Sequence, residues 1–273
     1  MESKAVALEE LERAIRNVQR DLPFEGYTAG LTAAYRNVAR TALKYLDPGG
    51  AILDFGCGPC DKTAVLQQLG FVCTGYDDLQ DPWHTVGDAR QRIMDFADHY
   101  GVRFSLARGN GMPFPAASFD MVMLHDVLEH LHESPRALVN ELLRLVRPGG
   151  LLFVTVPNAA NIKKRLDVLR GKTNYPNFDY YYWMPGPWRG HVREYVREDL
   201  VLLARFAGVN VLELKTSHHM AEKKVPPWAR KIYYGVTAVF PGWRDTWLMV
   251  ARKPAQWQPA PDLPEQDLQK LQH

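Results

Sequence analysis

Two glycines and two aspartates of this chain stand at spacings that suit a ligand site. Gly56 and Gly58 follow an apolar run that ends with Asp54 and Phe55, and glycine both tolerates positive φ and has no Cβ to block a ligand. Asp77 ends the next apolar run, roughly twenty residues further on. A glycine turn after one strand and an acid at the end of the next are the general signature of a nucleoside site, in which the acid binds ribose hydroxyls.

Asp61 separates two kinds of nucleoside ligand. It stands where a dinucleotide fingerprint has its third glycine, which lets helix and strand pack closely around a pyrophosphate. A carboxylate at the start of the following helix would also repel a diphosphate, which binds at the positive helix end. The loop therefore disfavours NAD and suits a ligand that has positive groups and no phosphate.

The segment 52–61 resembles motif I of the class I S-adenosylmethionine-dependent methyltransferases. S-adenosylmethionine carries a sulfonium and an ammonium and no phosphate, which agrees with the character of the loop. Three later segments are similar to further motifs of that family, namely Pro113–Phe114, Leu128–Glu129–His130 and the apolar run 151–156. The resemblance extends over residues 50–157 and implies methyl transfer with S-adenosylmethionine as the donor and S-adenosylhomocysteine as the product.

The resemblance also implies roles for the residues around this loop. Asp54 would lie beneath the methionine part of the cofactor and help to hold its ammonium group; without a ligand it would only cap the next helix. Neighbouring parallel strands lie about 4.8 Å apart, which places Asp77 one strand away from the glycines, at the ribose. Asp78 takes this role if the strand ends one residue later. The implied cofactor-binding set at this edge is Asp54, Gly56, Cys57, Gly58, Asp77 and Asp78.

The adenine contact departs from the family pattern. An ungapped comparison puts Arg108 where relatives have an acid that meets the adenine amino group. Asn110, two positions later, offers an amide oxygen that can accept a hydrogen bond from that group. We therefore expect Asn110 and Gly111 beside the adenine.

Histidines are the candidates for proton transfer. Methyl transfer from a sulfonium is an in-line displacement in which positioning supplies much of the catalysis, but a hydroxyl acceptor benefits from a base that titrates near neutral pH. His125 ends the fourth predicted strand, at the sheet edge where ligands bind, so it is also a candidate cofactor contact. His191 closes an aromatic insertion. His130 and His132 are nearby alternatives, and a structural role for each histidine, or transfer without a base, stays open.

These residues need a fold that brings several strand ends to one edge. Apolar runs predict strands at 51–55, 71–76, 102–106, 119–124, 150–156, 209–216 and 246–252. Helical spacing predicts helices at 3–21, 28–46, 61–69, 84–100, 134–147, 197–207 and 228–239. Repeated β-α-β units imply an α/β fold with a doubly wound, mostly parallel seven-stranded sheet, the Rossmann-like methyltransferase architecture that the resemblance also implies.

The chain divides into three parts. Residues 1–46 are expected to form an N-terminal helical cover over the cofactor mouth, 47–253 the methyltransferase domain, and 254–273 a flexible tail rich in proline and glutamine. Within the domain, 158–195 form an aromatic insertion on the substrate side, and long irregular insertions are usually lids or binding loops. Its rings could line an acceptor pocket or form a satellite core or an oligomer contact, and both interpretations stay open.

The composition of the chain bears on its partners, its location and its ligands. A net charge of +2 gives no electrostatic case for a nucleic-acid partner. The three cysteines predict free thiols in a reducing cytoplasm. Cys57-x-x-Cys60 lacks a second pair, so no metal site is expected. No run of about 18 apolar residues could span a bilayer, although the stretch 228–240 with its basic neighbours permits peripheral membrane contact.

O-methylation of a small molecule, a glycan or a lipid-linked sugar is the favoured hypothesis. A quinone or natural-product acceptor is one alternative, and a non-catalytic cofactor-binding or scaffold protein is another. The sequence 125–128 stands where base-amine methylases carry an Asn/Asp-Pro-Pro-aromatic motif, which argues against nucleic-acid methylation. The sequence determines neither the acceptor nor the oligomeric state.

Overall fold

The computed structural model describes residues 8–109, 111–173, 175 and 177–270. Its strands are β1 (Ala51–Phe55), β2 (Val72–Asp77), β3 (Arg103–Leu106), β4 (Phe119–His125), β5 (Val146–Pro157), β6 (Asn210–Ser217) and β7 (Thr246–Arg252). Its α-helices are α1 (Leu8–Asp21), α2 (Thr32–Tyr45), α3 (Asp61–Gln68), α4 (Ala89–His99), α5 (Pro135–Leu145), α6 (Ile162–Leu169), α7 (Phe178–Trp183), α8 (Arg197–Phe206), α9 (Ala221–Lys224), α10 (Pro227–Val239) and α11 (Glu265–Lys270).

One seven-stranded sheet organises the chain, with the strand order β3-β2-β1-β4-β5-β7-β6. β1 pairs in parallel with β2 and β4, and β2–β3 and β4–β5 are parallel as well. β7 runs antiparallel to both β5 and β6. The predicted doubly wound, mostly parallel seven-stranded α/β fold is therefore confirmed. The strand order reverses between β1 and β4, and ligands bind at such a switch point beyond the carboxyl ends of the strands.

Alternation along the strands builds a hydrophobic core on each face of the sheet. Successive side chains of a strand point to opposite faces, so Ile52 packs into one core and Leu53 into the other. Val38 of α2 belongs to the first core, together with residues of α1, α3 and α4. Leu142 of α5 belongs to the second, together with residues of α8. Helices thus cover both faces, and the strand ends remain free to form a site.

The aromatic insertion is more regular than the sequence predicted. It contains α6 and α7, and each helix starts at an asparagine whose side chain caps it. Asn161 accepts a hydrogen bond from the backbone N–H of Lys164, and Asn177 accepts one from that of Asp179. These caps satisfy backbone donors that the first helical turn leaves free. Neither helix buries an apolar stripe, so hydrophobic periodicity could not reveal them.

The start of the C-terminal tail packs against the domain. The Trp257 indole N–H donates to the carbonyl of Ala207 over 2.7 Å, and the Asn140 side chain both donates to and accepts from the backbone of Ala260. The flexibility expected for 254–273 therefore stays a prediction for the residues beyond these contacts. Among the described residues, none of the helices combines the length and the apolar character that a membrane span requires.

Candidate functional site

The turn after β1 needs its two glycines for different reasons. Gly56 and Gly58 have positive φ angles of 72° and 52°. A Cβ on Gly56 would lie 2.5 Å from Cγ2 of Val127, so this glycine lets the turn pack against the segment after β4. A Cβ on Gly58 would meet no atom of the described residues within 4 Å. Gly58 therefore keeps the space beside the loop open, as a bound ligand requires.

Cys57 contributes its backbone to the turn and buries its thiol against that of Cys60. Its sulfur is buried 3.4 Å from the sulfur of Cys60. A Cβ on Gly75 of β2 would lie 2.9 Å from the first sulfur and 2.8 Å from the second, so Gly75 makes the room that both thiols occupy. Burial raises the pKa of Cys57 well above its usual value. The thiol is therefore neutral and packs as a small apolar group.

Asp77 is connected directly to the glycine turn. One carboxylate oxygen accepts a hydrogen bond from the backbone N–H of Gly58 over 2.8 Å, and the other accepts one from that of Leu79 over 2.7 Å. Burial raises the pKa of Asp77, while these two hydrogen bonds act in the opposite direction. Each oxygen keeps a further lone pair, and the side chain lines a cavity. Asp77 can thus fix the turn and still accept hydrogen bonds from ligand hydroxyls.

Asp54 lies buried beneath the same turn, with 2% of its surface exposed. One of its oxygens accepts a hydrogen bond from the Thr63 hydroxyl over 2.6 Å, and the other has no partner among the described residues. Burial raises the pKa of Asp54 to about 7. A buried carboxylate with an unsatisfied oxygen is costly, so this position fits a site that receives a positively charged ligand group.

Asp61 has a structural partner that the sequence did not reveal. Its carboxylate is buried and accepts a hydrogen bond from the Tyr35 hydroxyl over 2.6 Å. Because Tyr35 lies on α2 and Asp61 begins α3, this bond attaches the N-terminal helices to the cofactor turn. The residue that excluded a pyrophosphate in the sequence analysis therefore also anchors the cover. The boundary of that cover at residue 46 remains a prediction.

A first cavity of about 660 Å³ opens at the carboxyl ends of β1, β2 and β4. Its wall contains four of the predicted cofactor residues, Gly56, Asp77, Asp78 and Gly111, and the two alternative histidines His130 and His132. Asp54, Cys57 and Gly58 are not among the residues that line it. Asn110 lies outside the described residues, so its expected adenine contact stays a prediction. Asp126, the residue after β4, also lines the cavity and has a positive φ of 58°.

Arg189 of the insertion closes one side of this cavity. Its guanidinium lies 2.8 Å from a carboxylate oxygen of Asp81 and 3.3 Å from one of Asp78. Asp78, the fallback ribose ligand, is therefore paired with a cation across the cavity mouth. Nothing in the sequence around Arg189 marks this role, because the contact joins residues 111 positions apart and leaves no local pattern.

A second cavity of about 510 Å³ adjoins the first. Both are lined by Asp81, His130, Trp188 and Arg189. The rest of the second wall comes mainly from the insertion, with the aromatic rings of Tyr175 and Tyr180, the cations of Lys163 and Lys164, and the polar side chains of His191 and Glu194. The insertion thus supplies both the partition between the cavities and most of the second chamber.

His191 lies in the second cavity with one ring nitrogen engaged. Its Nδ1 is 2.8 Å from a carboxylate oxygen of Glu194, and its Nε2 is 4.0 Å from Oε1 of Glu129. Burial lowers the pKa of His191 to about 4, and the positive charge of Lys164 acts in the same direction. His191 is therefore neutral at physiological pH and has a free nitrogen that can accept a proton.

His125 occupies a different environment. It is buried, its Nδ1 lies 3.0 Å from the Thr155 hydroxyl, and its ring packs edge-on against Phe153. Burial lowers the pKa of His125 well below its usual value. It is not among the residues that line either cavity. The structure thus places His191, but not His125, in the wall of the second chamber.

Comparison with known proteins agrees with this arrangement. A methyltransferase domain model matches residues 26–214. An uncharacterized methyltransferase of Mycobacterium sp. (strain KMS) is 33% identical over 133 residues, which cover 48% of this chain and 49% of that protein. Other curated relatives are likewise matched over half of their length or less.

Two solved structures show the same fold. The Burkholderia thailandensis 1,6-didemethyltoxoflavin-N1-methyltransferase, which contains S-adenosylhomocysteine, has a TM-score of 0.53 and 19% identity, with 93% of each chain covered. The [4+2]-cyclase SpnF has a TM-score of 0.56 and 20% identity, with 90% of this chain and 94% of that one covered. At this identity the likeness concerns the fold alone. Because the domain model spans more than half of the sequence and the fold agrees with it, the chain belongs to the methyltransferase domain family and is a class I S-adenosylmethionine-dependent methyltransferase domain.

Proposed function

We propose that this protein transfers a methyl group from S-adenosylmethionine to a hydroxyl group of a small molecule or a glycan, including a lipid-linked sugar. The junction of the two cavities supports the proposal most strongly. The first chamber has the glycine turn and carboxylates of a nucleoside site, and the second has aromatic and charged walls. Such an arrangement can hold a donor and an acceptor on either side of a shared boundary.

The residues of the first chamber match the parts of the donor. Asp77 would accept hydrogen bonds from the ribose hydroxyls while the Gly58 amide holds it in place. Asp54 would stabilise the ammonium group through the turn above it, because its unpartnered oxygen needs positive charge or a donor. Gly111 lines the same cavity and marks the proposed adenine end. When bound, the cofactor supplies an electrophilic methyl group on its sulfonium.

The second chamber suits an acceptor with a polar, ring-shaped face. Tyr180 and Trp188 are in edge contact, with 5.4 Å between ring centroids, and both line the chamber. Aromatic faces stack on sugars and on other rings. Lys163 and Lys164 line the same chamber and would hold oxygen atoms of the acceptor.

His191 is the residue proposed to receive the acceptor proton. In the transfer step, the acceptor oxygen forms a bond to the methyl carbon, the carbon–sulfur bond breaks, and the hydroxyl proton moves to Nε2 of His191. Glu194 orients the ring through Nδ1 and would stabilise the resulting imidazolium. His125 has no comparable access to either chamber, so it does not enter this proposal.

Exposed aromatic side chains extend from the insertion. Phe178 and Trp183 of α7 are 68% and 77% exposed. They would contact the headgroup region of a membrane if the acceptor is lipid-linked, since aromatic rings favour that interface. Peripheral membrane contact, a cytoplasmic location and the lack of a nucleic-acid partner remain proposals.

Cofactor binding and methyl transfer can be tested separately. Calorimetry should show one S-adenosylmethionine bound per chain, and Asp77→Asn should weaken binding about tenfold or more, since it removes a charged hydrogen-bond acceptor. Asp98→Asn, an exposed aspartate of α4, is the matched control. Wild-type protein that binds no cofactor would support the scaffold alternative.

Methyl transfer is then measured with labelled cofactor and a panel of sugar, phenol, quinone and amine acceptors. We expect hydroxyl acceptors to be labelled, and His191→Ala to depress turnover far more than cofactor affinity. Unchanged turnover would remove His191 from the mechanism. Labelling of quinone precursors or amines in place of sugars and other small hydroxyl compounds would contradict the proposed acceptor class.

A further inference from the structure

Glu129, His130 and His191 form a cluster in which His130 lines both chambers, His191 lines the second, and Glu129 is buried behind them. Each offers one ligating atom, and these atoms all lie within 4.8 Å of one another. Glu129 and His130 belong to a short 3₁₀ turn after β4. The backbone N–H of Val192 donates to the carbonyl of Glu129 over 2.7 Å, which ties the segment around His191 to this turn. The cluster is therefore fixed by main-chain contacts.

Both imidazoles are oriented in the way that metal-binding histidines usually are. Nδ1 of His130 lies 2.8 Å from the carbonyl oxygen of Arg189, and Nδ1 of His191 lies 2.8 Å from a carboxylate oxygen of Glu194. Both oxygens are acceptors, so each Nδ1 carries the proton and each Nε2 keeps a lone pair. An outer hydrogen bond of this kind fixes the tautomer and the ring orientation of a metal ligand. Glu194 is itself held by an ion pair with Lys164.

Glu129 lacks the partner that a buried carboxylate needs. Its side chain is 0% exposed, and neither oxygen accepts a hydrogen bond from another residue that the structure describes. The distance of 4.0 Å to Nε2 of His191 is too long for a hydrogen bond. Burial raises the pKa of Glu129 well above its usual value. A fully buried acid with no described hydrogen-bond partner, beside a possible ligating nitrogen of each of two imidazoles, needs either a proton or a cation.

We propose that Glu129, His130 and His191 bind one divalent transition-metal cation of the Zn²⁺, Mn²⁺ and Co²⁺ class. Two imidazoles and one carboxylate suit these ions better than Mg²⁺, which prefers oxygen ligands. Bonds to such an ion are about 2.0–2.2 Å long, so ligating atoms that now lie up to 4.8 Å apart approach one another by up to about 1 Å when it binds. Three protein ligands leave open coordination positions at the boundary of the chambers.

The use of this cation rests on the proposed function. An acceptor hydroxyl that occupies an open position would have its pKa lowered by the positive charge. His191 would then act by holding the cation, and the hydroxyl proton would leave to solvent as the oxygen–methyl bond forms. The nearby carboxylates of Asp126 and Glu194 favour a cation, whereas Lys164 and Lys224 oppose it. The cysteine spacing predicted no metal site, and it carries no information about this cluster, whose residues come from segments about 60 positions apart.

Metal binding is measured without any acceptor. Protein stripped with a chelator is titrated with Co²⁺, followed by its visible d–d absorption, and with Zn²⁺, Mn²⁺ and Mg²⁺ by calorimetry. We expect one equivalent of the transition metals and much weaker binding of Mg²⁺. Glu129→Gln and His191→Ala should each weaken binding about 100-fold or more, because each removes a direct ligand and loss of an outer-shell partner alone costs 10–100-fold.

His132→Ala is the matched control, since His132 hydrogen-bonds the carbonyl of Trp188 in the same region and lies outside the cluster. It should leave metal affinity unchanged. Thermal denaturation and S-adenosylmethionine affinity show whether each variant is folded. Wild-type protein without stoichiometric binding, or binding that survives both ligand substitutions, would overturn the inference.

The two proposals fail in different ways. If no cation binds but His191→Ala abolishes methyl transfer, His191 is a general base and the metal inference is wrong. If one cation binds at the cluster but no acceptor is methylated, the metal site is supported and the proposed methyl transfer is wrong.

Discussion

Asp54 should make the stability of the cofactor-free protein fall as the pH rises. Its pKa is raised from 3.8 to about 7 by burial, so the folded state prefers the protonated acid. The contribution of Asp54 to the free energy of unfolding is fully present below pH 3.8, and it is lost as the pH rises from 3.8 towards 7. At about 1.4 kcal/mol per pKa unit, the raised pKa of Asp54 lowers the free energy of unfolding, relative to its value below pH 3.8, by about 2 kcal/mol at pH 5 and about 4 kcal/mol at pH 8.

Asp54→Asn removes this titration while keeping an acceptor for the Thr63 hydroxyl. Its new amide N–H group is unsatisfied, but that cost does not change with pH. The difference in unfolding free energy between variant and wild type should therefore shift by about 2 kcal/mol in favour of the variant between pH 5 and pH 8. Urea denaturation at intermediate pH values measures the difference, and the other titrating groups cancel.

The effect of bound cofactor on stability is a second measurement that tests this prediction. Saturating S-adenosylmethionine should reduce the pH-dependent difference, since its ammonium favours ionised Asp54, and Asp54→Asn should bind it more weakly. Asp98→Asn, on the exposed face of α4, should show neither effect. A difference between Asp54→Asn and wild type that stays constant from pH 5 to pH 8 would refute the reasoning, because Asp54 would then be ionised throughout.

The remaining predictions concern the turn and its anchor. Gly58→Ala should cost only about 1–2 kcal/mol, from its positive φ, yet lower cofactor affinity at least about tenfold because its methyl group enters the open space. Gly56→Ala should destabilise by about 3 kcal/mol or more, since strain adds to the overlap with Val127, and Val127→Ala should restore part of the loss in thermal denaturation. Tyr35→Phe should lower the unfolding free energy by about 1.5–3 kcal/mol, because it removes the hydroxyl that bonds Asp61; a loss below 0.5 kcal/mol would contradict the anchor.

Most of the fold could be predicted from local sequence. β1 and β7 have the predicted bounds, and β2 is displaced by one residue, because strands that are buried on both faces of a sheet appear as short apolar runs with clear breaks. The helices of the insertion were missed because α6 and α7 start at asparagine caps and bury no stripe. α2 starts at Thr32 instead of residue 28, since Gly26 and Gly30 adopt positive φ in the preceding turns.

Site residues could be predicted from the sequence only where the order of strands and helices along the chain brings them together. Asp77 follows the glycine turn by one helix and one strand, so topology alone brings it to Gly58. Arg189 reaches Asp78 from 111 residues away, and nothing in its neighbourhood marks that contact. His125 and His191 looked equivalent as histidines near a ligand edge, but one is buried against Phe153 and the other lies in a chamber wall.

The sequence by itself determined the family, the sheet and the donor site, because glycine turns and strand-end acids act through local backbone geometry. Only the tertiary structure determined which residues close that site and which residues lie beside the proposed acceptor chamber. The insertion returns to the sheet edge through the contact of Val192 with Glu129, and this brings His191 to a carboxylate without a described partner. Such a neighbourhood depends on packing between distant segments, which residue spacing along the chain does not encode.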